Sequence, residues 1–201
     1  LAPTGTLFII GDFNNDTFYI SLDTIFKQGN LAYKNNNISF ERPADFLIQI
    51  DGDKNSRIFV DSYYDSFYYI YAEQLHMIEK NAEYLIKGNG IFNPVYHCLS
   101  REFFLPEDKN TVPFSQYETG VLTIGDANPE NEGYNSLTDF SFKNGYLEIR
   151  IPWQLLNVMD PSTNSIMGDL YKNQSIKSEQ SEGIYIGAGI VKPGLESSEV
   201  I

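Results

Sequence analysis

Hydrophobic and polar residues alternate most cleanly over residues 145–156, where Leu147, Ile149 and Ile151 are interleaved with Glu148 and Arg150. A period of two puts one face of a strand in a core and the other in water. Pro152 ends that strand because it has no N–H to offer a neighbour. Trp153, Leu155 and Leu156 follow at spacings that suit one short helical turn. The indole is therefore expected to close the end of a core rather than to stack on a ligand.

The same pattern recurs along the chain. Residues 7–10 form an apolar run, Asn14, Asn15 and Asp16 a turn cluster, and Phe18, Ile20 and Leu22 share one face of the next run, which predicts a hairpin. Residues 28–37 are polar and Asn-rich without periodicity and predict a loop. Phe46, Ile48 and Ile50 alternate over 44–51, and the turn at 51–55 leads into 57–60, a second hairpin. Residues 95–104 and 119–124 are further strand candidates, separated by a loop at 106–113. Phe140 and Phe142, then Asn144-Gly145, then the strand described first make a third hairpin, Asn-Gly being a strong short-turn signal. Ile184, Ile186, Ala188 and Ile190 mark a last strand. Around 73–84 the pattern fits a helical stripe of Leu75, Ile78 and Ala82 and a strand over 70–78 equally well.

Nine or ten short strands, hairpin turns and no βαβ alternation predict an all-β chain: a two-sheet antiparallel β-sandwich with one or two short helices. At 201 residues it is expected to be a single domain, with 1–6 and 193–201 as loose ends. The composition agrees, with 14 Tyr, 14 Phe and 42% hydrophobic residues. No apolar run approaches the roughly 18 residues that cross a bilayer, so no membrane insertion is expected. Fourteen basic against 27 acidic residues give a net charge of −13, which disfavours nucleic acid as a partner. The acidity also serves solubility. The chain starts at Leu1 without a Met and is expected to be a fragment of a longer protein.

Three stretches carry a resemblance. Ala44-Asp45-Phe46-Leu47-Ile48-Gln49-Ile50-Asp51 is an acidic residue ahead of an alternating run that ends in Asp. Asn15-Asp16-Thr17-Phe18-Tyr19-Ile20 is a turn leading into an aromatic-bearing strand, and residues 146–156 end in the Ile-Pro-Trp plug, with Gly168-Asp169 beyond. In this order the chain resembles the family 9 carbohydrate-binding modules and the wider DOMON-like sandwiches, over roughly residues 7–191. The resemblance implies a jelly-roll-like sandwich, fusion to carbohydrate-active enzymes, and a structural Ca²⁺ in some members. Family members that grip a sugar end use two tryptophans, whereas this chain has only Trp153.

Sugars are held by flat aromatic faces and by carboxylate or amide side chains that bond their hydroxyls. Tyr63, Tyr64, Tyr68 and Tyr69, flanked by Asp61 and Asp65, bring those residue types together and form the leading ligand site; the same tyrosines also suit plain cross-strand packing. Hard cations need clustered oxygens, which Asp12, Asn14 and Asp16, and Asp51, Asp53 and Asn55, supply for Ca²⁺. The second set begins like an EF-hand loop, but Ser62 stands where its bidentate Glu belongs, and a hairpin turn explains it equally. His97 and Cys98 are sequence neighbours, so on a strand they point to opposite faces and do not make a catalytic pair. No pair of carboxylates is singled out for glycoside hydrolysis.

The reading is thus a non-catalytic carbohydrate-binding-module-like accessory domain, not an enzyme. Its expected partners are a poly- or oligosaccharide and other domains of a parent protein, at an extracellular or cell-surface location. The alternatives are a structural or protein-interaction sandwich without a sugar ligand and, third, a glycoside-acting enzyme domain.

Overall fold

The computed structural model describes residues 4–10, 17–24, 28–143, 145–191 and 198–200. Short strands in several antiparallel sheets make up most of it, with only brief helical turns between them. The largest sheet has five strands, in the order Tyr185–Val191, Thr17–Asp23, Phe46–Ile50, Arg57–Asp61 and Phe92–Pro94. A second sheet orders Thr4–Ile10, Tyr146–Pro152 and Phe140–Lys143.

One hydrophobic cluster is shared by these two sheets. Ile20, Leu22, Phe46, Ile48, Ile50, Ile58 and Val60 come from the first, and Phe140, Leu147, Ile149 and Ile151 from the second. The alternation predicts this, since residues i and i+2 of a strand face the same way. Trp153 is half-buried on the short 3₁₀ turn Trp153–Leu156, packed against that cluster, while Leu156 lies inside it. The turn is closed by Asn157 at φ 53°, a left-handed conformation that Asn tolerates better than most residues.

The opposite face of the five-stranded sheet is buried along its inner strands, whereas the edge strand Tyr185–Val191 is largely exposed. Tyr19, Leu47 and Phe59 pack there against Tyr33, Ile38, Phe40 and Ala44. The last four belong to strands Asn30–Tyr33 and Ile38–Ala44, which form a further antiparallel pair. A strand therefore runs through the segment expected to be a polar loop at 28–37. Within the strand Asn30–Tyr33 only Asn30 and Tyr33 are buried, with Leu31 and Ala32 turned outward.

The second and third predicted hairpins are present. Phe46 pairs with Val60 and Gln49 with Arg57, around the one-turn helix Gly52–Asn55. Lys143 pairs with Tyr146, and Gly145 takes φ 79°, as a two-residue turn requires. The first predicted hairpin is not formed. Thr4–Ile10 pairs with Tyr146–Pro152, and Thr17–Asp23 with both Tyr185–Val191 and Phe46–Ile50. Alternation fixes which face of a strand is covered but not which neighbour it takes.

The expected loose ends also differ in part, since residues 4–6 lie within a strand and Ser198–Val200 pairs in parallel with Ile38–Ala44. Residues 119–124 contribute isolated bridges, Arg57 with Val121 and Ile124 with Phe140, rather than a strand. Instead Tyr96–Ser100 pairs with Ser115–Glu118, and Phe103–Leu105 with Asn110–Val112, making a ribbon that takes up the predicted 106–113 loop. Among the described residues no helix is long and apolar enough to cross a membrane.

Candidate functional site

The tyrosine-rich block leaves the sheet at Asp61 and winds into three consecutive helical turns: Ser62–Tyr64, Ser66–Tyr68 and the wider Tyr69–Gln74. Two aspartates start the first two. Asp61 accepts from Tyr63 N at 3.2 Å and Asp65 from Tyr68 N at 3.0 Å, each satisfying an N–H that a helical start leaves open. The ambiguous stretch around 70–78 is therefore helical at its beginning, with Leu75 N bonded to Ile70 O.

All six residues expected to hold a ligand are buried, and the tyrosine faces are largely spent on neighbours. Tyr64, 1% exposed, meets Phe46 edge-on, and its hydroxyl donates to Met167 O. Tyr63 lies 4.7 Å from Tyr171, centroid to centroid, and donates to Asp169 Oδ1 at 3.0 Å. Tyr69 meets the same Tyr171 edge-on. Asp169 also binds Lys87 Nζ at 2.8 Å. Burial alone would raise the Asp169 carboxyl, but the bonds from Lys172 N, Lys87 and Tyr63 outweigh it and hold it below the ordinary range.

Asp61 is fully buried, at the end of the strand pair that also carries Asp45. Its backbone N–H donates to Asp45 O at 2.7 Å, and its carboxylate Oδ1 accepts from Asn30 Nδ2 at 3.1 Å. Asp45 is engaged by Thr24, through N at 2.7 Å and Oγ1 at 2.8 Å. Burial pushes Asp61 up to about 7, helped by the charges of Asp45 and Asp65 and opposed by the Tyr63 and Asn30 bonds. Burial likewise pushes Asp65 up to about 6, against bonds from Tyr68 N, Asn93 and Phe67 N.

Two of the six, Asp65 and Tyr68, reach a cleft of about 580 Å³. Phe67, Tyr84 and Tyr96 share its wall, along with Asn81, Asn93, Gln116, Glu79 and Lys80. Tyr84 and Tyr96 are half-buried. Tyr84 stands edge-on to Tyr68 at 4.8 Å, and Tyr96 lies 5.8 Å from Phe67.

A strap of chain, residues 75–89, forms one side of the cleft and is held down through Tyr68. The Tyr68 hydroxyl accepts from Asn81 N at 2.6 Å and donates to Asn81 O at 3.2 Å. Asn81 then caps the turn Ala82–Leu85 through Glu83 N, which brings Tyr84 round to the cleft. The sequence pattern did not single out Tyr84 or Tyr96, which lie 16 and 28 positions beyond Tyr68. The Asn81 cap was the one local signal for the first of them.

The two proposed cation clusters fare differently. Asp12, Asn14 and Asp16 lie outside the described residues. Asp51, Asp53 and Asn55 span the one-turn helix that closes the second hairpin, where Ser56 Oγ accepts from Asp51 N and donates to Gly52 O. Among the described residues no group of three or more His, Cys, Asp or Glu side chains could hold a metal ion. His97 and Cys98 occupy the strand Tyr96–Ser100, where His97 is exposed beside Tyr117 and Cys98 is half-buried.

No protein-family model, curated protein or solved structure matches the chain.

Proposed function

We propose that the chain is a non-catalytic saccharide-binding domain whose binding surface is the cleft between the helical turns at 66–74 and the residue 75–89 strap. The observation that carries this reading is the composition of that wall: the half-buried rings of Tyr84 and Tyr96 beside Asn81, Asn93, Gln116 and Asp65. Rings of this kind cover the C–H face of a pyranose, and amides and carboxylates bond its hydroxyls. In this role the chain serves as an accessory domain of a larger carbohydrate-active or surface protein, outside the cell.

A glycan array and affinity gels test the proposal on the chain itself, with Tyr84→Ala and Tyr96→Ala alongside. Both rings are partly open, so neither variant is expected to unfold. The proposal expects a sugar-dependent shift that both variants lose; no shift with any glycan, or a shift both variants keep, overturns it.

One observation favours a second reading, a protein-interaction domain. The ribbon of residues 96–118 exposes Leu99, Phe103, Phe104 and Tyr117 to solvent.

A further inference from the structure

We infer that the cleft selects a cationic saccharide, a glycan whose sugars carry free amino groups, over neutral or acidic ones; this rests on the saccharide reading of the same cleft. Three charged side chains stand in its wall: Asp65, Glu79 and Lys80. Lys80, the single cation of that wall, is already engaged, its Nζ 2.9 Å from Glu73 Oε2, and the Glu73 side chain is itself only 16% exposed. Neither Asp65 nor Glu79 has an ion pair among the described residues. The positive charge in the wall is thus cancelled at short range, and two carboxylates remain.

Asp65 is the more telling of the two. It is almost wholly buried, yet its charge is met only by neutral donors, Tyr68 N on Oδ1 and Asn93 Nδ2 on Oδ2, both at 3.0 Å. A carboxylate offers about four acceptor positions, so one more bond can be accepted. A buried carboxylate without a counter-charge is costly, and a ligand ammonium supplies what the chain does not. An ammonium at Asp65 or Glu79 makes a charge-assisted hydrogen bond, and the faces of Tyr84 and Tyr96 attract the same cation. A uronate or sulfated sugar would instead set its anion against these carboxylates, in a chain whose net charge is −13.

The test is isothermal titration of the 201-residue chain at pH 6.5 with four hexasaccharides: glucosamine, N-acetylglucosamine, glucose and galacturonate oligomers. The glucosamine oligomer is expected to bind about tenfold or more tightly than its acetylated twin, the yield of one charge-assisted hydrogen bond. Glu79→Gln should narrow that ratio to about threefold, whereas Glu107→Gln, on the exposed turn of the ribbon, should leave it unchanged. Equal affinity for the glucosamine and acetylated oligomers, or tighter binding of galacturonate, overturns the inference and leaves the saccharide reading standing. An equal narrowing by Glu107→Gln also overturns it, because diffuse surface charge would then be the cause. Binding of none of the four overturns both.

Discussion

Replacing Asp61 by Asn removes one charge and almost no volume from a fully buried position. The side-chain oxygen that accepts from Tyr63 N and Asn30 Nδ2 is retained. What changes is the cost of ionisation. The folded-state pKa of Asp61 is pushed up to about 7 from the ordinary 3.8, chiefly by burial, so between those values the folded chain holds a proton that the unfolded chain has released. Stability of the natural protein therefore falls as pH rises through that window. One pKa unit corresponds to about 1.4 kcal/mol, which sets an upper bound of roughly 4 kcal/mol for the whole window. The neighbouring charges of Asp45 and Asp65 share the effect, and roughly 2 kcal/mol is expected from Asp61 itself. The variant lacks this slope. Urea unfolding followed by Trp153 fluorescence at pH 4.5, 6 and 8 should find Asp61→Asn within about 1 kcal/mol of the natural chain at the lowest pH and more stable by roughly 2 kcal/mol at the highest. A difference that stays flat from pH 4.5 to 8, or one that turns against the variant as pH rises, would refute the view that this carboxylate is ionised at a cost.

Tyr68→Phe removes both hydroxyl bonds to Asn81, and is expected to cost about 1–2 kcal/mol and to speed amide exchange selectively across residues 75–89; uniform exchange would mean the strap is fastened elsewhere. Gly120→Ala would set a Cβ 2.7 Å from Ile58 O, a backbone atom that cannot step aside, so a loss of about 1–3 kcal/mol in urea is expected and a neutral result would count against the packing there. Trp153→Ala, at a half-buried position, should cost about 2 kcal/mol by circular dichroism melts, less than the roughly 3–5 kcal/mol of a fully enclosed indole.

The hairpins at 46–61 and 140–152 were legible because two local signals agree in each: an alternating strand and turn-forming residues beside it. The partner of Thr4–Ile10 was not, since it lies more than 130 positions away and nothing near residue 10 specifies it. The strand Asn30–Tyr33 was hidden because Asn30, which reads as a loop residue, is spent inside on Asp61 and the carbonyl of Ile91. In the candidate site, the sequence singled out the tyrosine block but not its geometry. Read as extended chain, Tyr63, Tyr64, Tyr68 and Tyr69 offer faces; wound into turns begun by Asp61 and Asp65, they turn those faces inward. The two aspartates, four positions apart and each directly ahead of a turn, were the available clue. Tyr84 and Tyr96 join Tyr68 only through tertiary folding, which no local pattern encodes.

The five-stranded sheet is buried on both faces along its inner strands Phe46–Ile50 and Arg57–Asp61, which leave almost no surface on which chemistry could be changed without disturbing the architecture. Novelty has to be accommodated at its rim, where chain leaves the layers, and the strap is such a place. If the cleft binds saccharide as proposed, substitutions at Glu79, Tyr84 or Gln116 redirect recognition while the layers beneath stay untouched, and what keeps the chain folded is separate from what such a cleft can learn to bind.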